Sequence, residues 1–150
     1  VECIQNIAAA MKLGDWFLLG ADRIKDKSVL DAAYNDAQGF TARFNLNVLR
    51  VLNRELAADF DLQRFVHEAF YDPDRCRIEM HLRAIEPHRV RLAALAEHIE
   101  FEPGETILTE ISRKFSASDL ETLLAAGGLT VRKHYEAADA YFSLVLAERN

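Results

Sequence analysis

The fold class turns on the stretch Met11-Lys12-Leu13-Gly14-Asp15-Trp16-Phe17-Leu18-Leu19-Gly20-Ala21. Ahead of it Val1, Ile4, Ile7, Ala8 and Met11 recur at helical spacing, and Gly14-Asp15 breaks that pattern before an apolar run with no polar alternation. The reading is helix, tight turn, buried strand. A strand apolar on both faces is what the centre of a parallel sheet requires, because helices cover both sides there. Residues 1–21 therefore predict one helix–strand step of a doubly wound α/β fold, with Trp16–Ala21 as a central parallel strand.

Downstream, Ser28 is placed to cap a short helix over Val29 to Asp36, and Gly39 ends it. Thr41 is placed to cap a longer helix with the stripe Phe44, Val48, Leu49, Leu52 and Leu56. From Phe65 the period falls to two. Asp72-Pro73-Asp74-Arg75 supplies a turn between Phe65–Tyr71 and Cys76–Ile85, which predicts a hairpin. Further strands are expected at Arg89–Leu92, His98–Glu102 and Glu105–Phe115, the last two joined as a pair across Pro103-Gly104. Ser118-Asp119-Leu120-Glu121 reads as a capping box, Gly127-Gly128 closes that helix, and Leu129–Tyr135 with Tyr141–Glu148 forms a terminal hairpin. These changes of period divide the chain into a helix–strand step at 1–23, a mixed segment at 24–115 and a helix–strand–strand segment at 116–150.

That order resembles the second half of the class I S-adenosylmethionine-dependent methyltransferases, whose fold is Rossmann-like. In such folds the cofactor lies at the carboxyl ends of the early strands, on a glycine-rich strand-to-helix turn. Here Gly14 lies between a helix and a strand, and Gly127-Gly128 follows a helix, so neither is placed to cradle a nucleotide. The chain also opens without methionine. It is expected to be part of a longer protein, with the cofactor site upstream of Val1.

Composition narrows the function classes. The 150 residues carry 18 Lys and Arg against 24 Asp and Glu, a formal net charge of −6, and are 50% hydrophobic. An acidic chain with scattered basic residues lacks the positive field that holds phosphate backbones, so no nucleic-acid partner is expected. No apolar run approaches the roughly 20 residues that span a bilayer, and no basic n-region precedes an apolar h-region, so neither a membrane span nor a signal peptide is expected. Cys3 and Cys76 have no metal or disulfide spacing, which suits a cytoplasmic location.

Strand alternation in Ile107-Leu108-Thr109-Glu110-Ile111-Ser112-Arg113 puts Glu110 and Ser112 on one face, roughly 7 Å apart at two residues' rise. A neutral imidazole offers one N–H donor and one bare acceptor nitrogen. A carboxylate that accepts, beside a hydroxyl that donates, matches that pair. Spacing alone favours a solvated polar face. Met80 alternates with Ile78 and Leu82, so packing is its first reading and an aromatic-ligand platform its second. Tyr34 sits between polar residues on a short helix, as surface or packing aromatics do. His67 and His81, with Glu68 and Glu79 nearby, provide too few convergent ligands for a metal site. Neither cysteine has a histidine partner and no nucleophile turn is present, so no catalytic residue is expected in this segment.

Several blocks together resemble a family: Gly14-Asp15-Trp16-Phe17-Leu18-Leu19-Gly20-Ala21-Asp22, Ala33-Tyr34-Asn35-Asp36, Phe44-Asn45-Leu46-Asn47, Arg54-Glu55-Leu56, Phe70-Tyr71-Asp72-Pro73, Ile78-Glu79-Met80-His81-Leu82 and Thr109-Glu110-Ile111-Ser112-Arg113-Lys114-Phe115. Their order and spacing are similar to the C-terminal half of the histidine-specific Nα-methyltransferases of ergothioneine biosynthesis, over essentially the whole chain. The resemblance implies a methyltransferase core with an inserted substrate-recognition domain of antiparallel sheet and helices. It implies S-adenosylmethionine as cofactor and L-histidine as substrate, converted to hercynine. By the same resemblance Tyr34 binds the amino-acid end of the substrate, Met80 lines the imidazole pocket, and Glu110 with Ser112 grips the ring.

Two other functions compete. One is N-methylation of another aromatic amino acid such as tryptophan; indole carries no acceptor nitrogen for Ser112. The other is a non-catalytic half-domain that binds an amino acid or a partner chain. A strand edge beside Trp16–Ala21, left without its parallel neighbours, is expected to favour self-association.

Overall fold

The computed structural model describes residues 1–149; Asn150, the last residue of the expected 116–150 segment, lies outside the described residues. The chain runs α1 (Glu2–Ala10), β1 (Trp16–Asp22), α2 (Lys27–Tyr34), α3 (Phe40–Glu55), β2 (Phe65–Asp72), β3 (Arg77–Ala84) and β4 (His88–Leu92). It continues through β5 (Glu97–Phe101), β6 (Thr106–Arg113), α4 (Ala117–Ala126), β7 (Leu129–Glu136) and β8 (Phe142–Arg149). Two compact units result: one from Val1–Lys25 with the residues from Arg113 onward, the other from Asp26–Ser112. Both mix helices with antiparallel sheet, and no described helix is long and apolar enough to cross a membrane.

In the first unit the strand order is β1-β8-β7. Gly14, at φ +82°, makes the turn from α1 into β1, a conformation glycine adopts without steric cost. The neighbour that β1 meets among the described residues is antiparallel: it pairs with β8, Trp16 opposite Glu148 and Asp22 opposite Phe142, and stands at the end of the order. Phe17, Leu19 and Ala21 pack on a core of Ile4, Ala8, Leu120, Leu124, Leu129, Val145 and Ala147. Trp16 and Leu18, on the alternate positions, are 56% and 57% exposed. The strand alternates in burial although it does not alternate in polarity.

The capping box lies two residues earlier than expected. Ser116 Oγ accepts from Asp119 N at 3.1 Å and Asp119 Oδ2 accepts from Ser116 N at 2.9 Å, so Ser118 is inside α4. The two chain passages near the unit's boundary run side by side, Arg23 and Phe115 forming a parallel β-bridge. Asp22 accepts there from buried Lys114 at 2.8 Å and from Lys25 at 2.6 Å. Burial raises the Asp22 pKa, but the two lysines together outweigh it and hold the carboxyl below its ordinary value.

In the second unit β2 and β3 form the expected hairpin, Phe65 opposite Ala84 and Asp72 opposite Arg77. Asp72 Oδ1 accepts from the backbone N–H of Asp74 and Arg75 to set the turn. Beyond it the expected β5–β6 pair does not form. β5 pairs with β4, while β6 crosses to the far side of β3 to give the order β2-β3-β6. Glu105 O takes Ala84 N–H and Met80 O takes the Thr109 hydroxyl, so residue numbers fall on β3 as they rise on β6 and the strands run antiparallel.

Both helix caps in this unit differ from expectation. Asp26 caps α2, its carboxylate accepting from Ser28 N at 2.7 Å, so Ser28 is the receiver of the cap. Gly39, at φ +69°, opens α3, and the carboxylate of Asp36 accepts from Phe40 N and Thr41 N, both at 2.8 Å. Leu46, Leu49, Leu52 and Leu56 face a core of Phe60, Phe65, Leu82, Ala84, Val90, Leu92 and Phe101. Phe44 and Val48, expected in that stripe, are exposed. A smaller cluster of Leu30, Ala69, Tyr71, Ile78 and Met80, with Tyr34 against it, seats α2 on the sheet.

Candidate functional site

The second unit holds a cavity of about 290 Å³ lined by Ala33, Tyr34, Phe40, Thr41, Phe44, Met80 and Glu110. Three walls meet there: the last turn of α2, the first turns of α3, and the β3–β6 strands. Its volume lies at the lower end of the range for small-molecule pockets, which suits one amino acid.

The end of α2 is fastened to β2 on its sheet side. Asp31 Oδ1 accepts from Tyr71 N at 2.8 Å, and Asn35 Nδ2 donates to Ala69 O at 2.9 Å. His67 Nε2 lies 2.9 Å from the carbonyl oxygen of Tyr34. The first two tie helix side chains to the β2 backbone, and the third meets a carbonyl of the last helical turn. The Tyr34 hydroxyl donates to Ser112 Oγ at 2.9 Å, linking α2 to β6. Of the four residues singled out in the sequence, Tyr34, Met80 and Glu110 line the cavity and Ser112 is bonded to Tyr34 beside it.

Packing, the first reading of Met80, is what the core shows. Met80 packs among Leu30, Ala69 and Ile78 and also lines the cavity. Glu110 is exposed, so its charge is held at little desolvation cost until a ligand covers it. Phe40, Thr41 and Phe44 were missed, since Thr41 read as a cap and Phe44 as core. The available signal was the i, i+4 pair Phe40 and Phe44 directly after Asp36-Ala37-Gln38-Gly39. With Asp36 serving as cap, Thr41 is released to the pocket wall, and the two phenylalanines, 62% and 66% exposed, make an apolar lip. Backbone N–H groups of Thr41 and Phe40, with the Thr41 hydroxyl, hold the Asp36 carboxyl at a pKa of about 2.

The His/Glu constellation proves to be a network of polar side chains. Glu79 Oε1 accepts from Arg77 Nε at 2.9 Å, and Glu79 Oε2 lies 3.1 Å from His81 Nε2. The His81 ring stacks on Phe70 at 5.5 Å and 9°. Arg77 first, then His81 and Arg75, bring the Glu79 carboxyl to a pKa of about 2 against the opposing effect of burial. Among the described residues no group of three or more His, Cys, Asp or Glu is placed to hold a metal ion.

Nor do the described residues offer a nucleotide cradle. Gly14 turns from a helix into a strand, Gly39 opens α3 after α2, Gly104 lies between β5 and β6, and Gly127-Gly128 ends α4. No described glycine turn leads from a parallel strand into a helix, the geometry that presents backbone N–H groups and a helix N-terminus to a nucleotide. The residues present do not by themselves fit S-adenosylmethionine.

The histidine-specific, S-adenosylmethionine-dependent methyltransferase family matches residues 1–149. The histidine N-alpha-methyltransferase of Mycolicibacterium smegmatis (strain ATCC 700084 / mc(2)155) is 45% identical over 148 residues, 99% of this chain and 46% of that protein. That of Mycobacterium tuberculosis (strain CDC 1551 / Oshkosh) matches with the same identity and coverage. Ergothioneine biosynthesis protein 1 of Schizosaccharomyces pombe (strain 972 / ATCC 24843) is 23% identical over 141 residues, 93% of this chain and 18% of that protein. The chain spans 46% of the length of the two bacterial relatives. With its full described length matched, the chain belongs to the family of histidine-specific, S-adenosylmethionine-dependent methyltransferases.

Proposed function

We propose that this chain is the substrate-recognition part of an S-adenosylmethionine-dependent L-histidine Nα-methyltransferase acting in ergothioneine biosynthesis, with Asp26–Ser112 as the inserted recognition domain. The observation that carries the reading is the meeting of Tyr34, Met80 and Glu110 in one cavity, with Ser112 bonded to Tyr34 at 2.9 Å. Glu110 accepts the ring N–H, Ser112 donates to the other ring nitrogen, and Met80 lies against the ring. Tyr34 binds the amino-acid end. The cofactor's sulfonium methyl is already electrophilic, so this chain's contribution is to orient the amino acid and exclude water. Its residues hold the far end of the substrate, and that binding energy fixes where the amine lies.

The test uses Glu110→Ala, Ser112→Ala and the double variant in the full-length protein. Glu110→Ala leaves the ring N–H without an acceptor and should weaken histidine binding by about one to two decades, the equivalent of ~1.5–3 kcal/mol for a charged hydrogen bond. Ser112→Ala should weaken it less, and the pair should be non-additive because both groups hold one ring. S-adenosylmethionine affinity should stay within about twofold, a shift well under the 1.4 kcal/mol of one decade. A histidine dissociation constant within that same limit in Glu110→Ala would assign the ring contact to other residues.

A further inference from the structure

We infer that His67, held as its Nε2–H tautomer, is a positioning residue that sets the distance between the two helical walls of the pocket. The inference rests on the reading of that cavity as the histidine site. His67 does not line the cavity; it lies behind it on β2. Its Nε2 is 2.9 Å from the Tyr34 carbonyl oxygen, which can only accept, so Nε2 carries the proton. In the neutral ring Nδ1 is then an acceptor, and Asn45 Nδ2 donates to it at 3.0 Å. The same Asn45 nitrogen donates to His81 O at 3.0 Å, and Asn45 is buried.

One imidazole thus bridges the last residue of α2 and the second turn of α3 across the strand beneath them. Tyr34 and Phe44, whose side chains line the cavity, are respectively the residue bonded to His67 and the neighbour of the residue bonded to it. The Tyr34 carbonyl belongs to the last turn of α2 and accepts from His67. Its fixation sets the Tyr34 Cα and so the line along which the phenol reaches Ser112. A ring serving only to fill space would not need one tautomer.

Two substitutions in the full-length protein separate the two bonds. The amide nitrogen of His67→Gln lies near the Nε2 position and can still donate to Tyr34 O, but removes the ring acceptor from Asn45, which keeps His81 O. The amide oxygen of His67→Asn lies near the Nδ1 position and keeps Asn45, but removes the His67 donor from Tyr34 O. Each loses one buried hydrogen bond, so their losses in thermal stability should be similar. Histidine affinity should separate them, falling about tenfold in His67→Asn and less than about threefold in His67→Gln, with S-adenosylmethionine affinity unchanged in both. Equal losses in the two variants, tracking stability, would overturn the inference. Nitrogen NMR of the unsubstituted protein tests it without any variant: a His67 ring protonated at Nδ1, or at both nitrogens at neutral pH, would also overturn it. Glu110→Ala measured in parallel separates the two levels of the argument. If it weakens histidine binding while His67→Asn does not, His67 alone is misassigned; if neither does, the site reading falls and this inference with it.

Discussion

Gly127 ends α4 with an ordinary right-handed backbone, φ −84°, so its lack of a side chain serves no conformational purpose. A Cβ there would sit 2.2 Å from Ile4 Cγ2, and the helix pair α1–α4 packs through that gap. Gly127→Ala should therefore destabilise the protein by about 1–3 kcal/mol, as overpacking does, read from urea or thermal unfolding. In the sequence Gly127-Gly128 looked like a single helix stop. Gly127 is the C-cap and Gly128, at φ +86°, takes the left-handed turn after it, but the need for glycine at 127 comes from a residue 123 positions away, in a contact no local pattern encodes. Glu79 makes the corresponding case for charge. Its carboxyl falls from 4.5 to about 2 on folding, so the folded state prefers it ionised. The associated stability is fully present above the unfolded value and is lost as pH falls from 4.5 toward 2. Thermal scans of the unsubstituted protein and Glu79→Gln should show a difference that is constant above that window and shrinks within it. A difference independent of pH would mean that Glu79 acts through packing alone.

At the scale of elements, the start of α3 connects fold to site. A cap donated by Asp36 from before Gly39 frees Thr41 for the pocket wall and aligns Phe40 and Phe44 as its lip. Asp36→Ala should let that first turn fray, visible as faster amide exchange at Phe40 and Thr41, with weaker histidine binding and unchanged exchange in β2 and β3. Element existence was legible throughout this chain, because period and turn chemistry are local. Pairing was less so. Pro103-Gly104 does reverse the chain, but a turn states that direction changes and not which strand will be met, and β6 leaves β5 for β3. The all-apolar run at Trp16 makes the same point: hydrophobicity names neither partner nor direction, and the neighbour β1 meets among the described residues is the antiparallel β8. The caps at Asp26, Asp36 and Ser116 each displaced a nearby residue of equal propensity, since capping is decided by where the helix axis starts.

For the molecule as a whole, each unit has its own core, and in the second unit the pocket's Met80 and Tyr34 belong to the smaller cluster, beside the larger one around Leu49 and Leu82. Leu82, fully buried there under α3, is the place to test how that core supports the site. Leu82→Ala should cost about 2–5 kcal/mol and raise amide exchange in β2 and β3, where large-to-small substitutions leave a cavity the surroundings only partly fill. The four site residues chosen from sequence came from two different kinds of signal. Glu110 and Ser112 had a chemical argument of their own, whereas Tyr34 and Met80 rested on resemblance, because a tyrosine ending a helix and a methionine on a strand have no local mark of ligand contact. Only folding brings positions 34, 80 and 110 together. The bridge between Arg23 and Phe115 has a further consequence for ancestry and for engineering. The chain departs from and returns to adjacent backbone positions, with Lys25 and Lys114 both held by Asp22 at the doorway. Everything between can lengthen, shorten or be exchanged as a cassette through one pair of splice points, without cutting a strand of the β1-β8-β7 sheet.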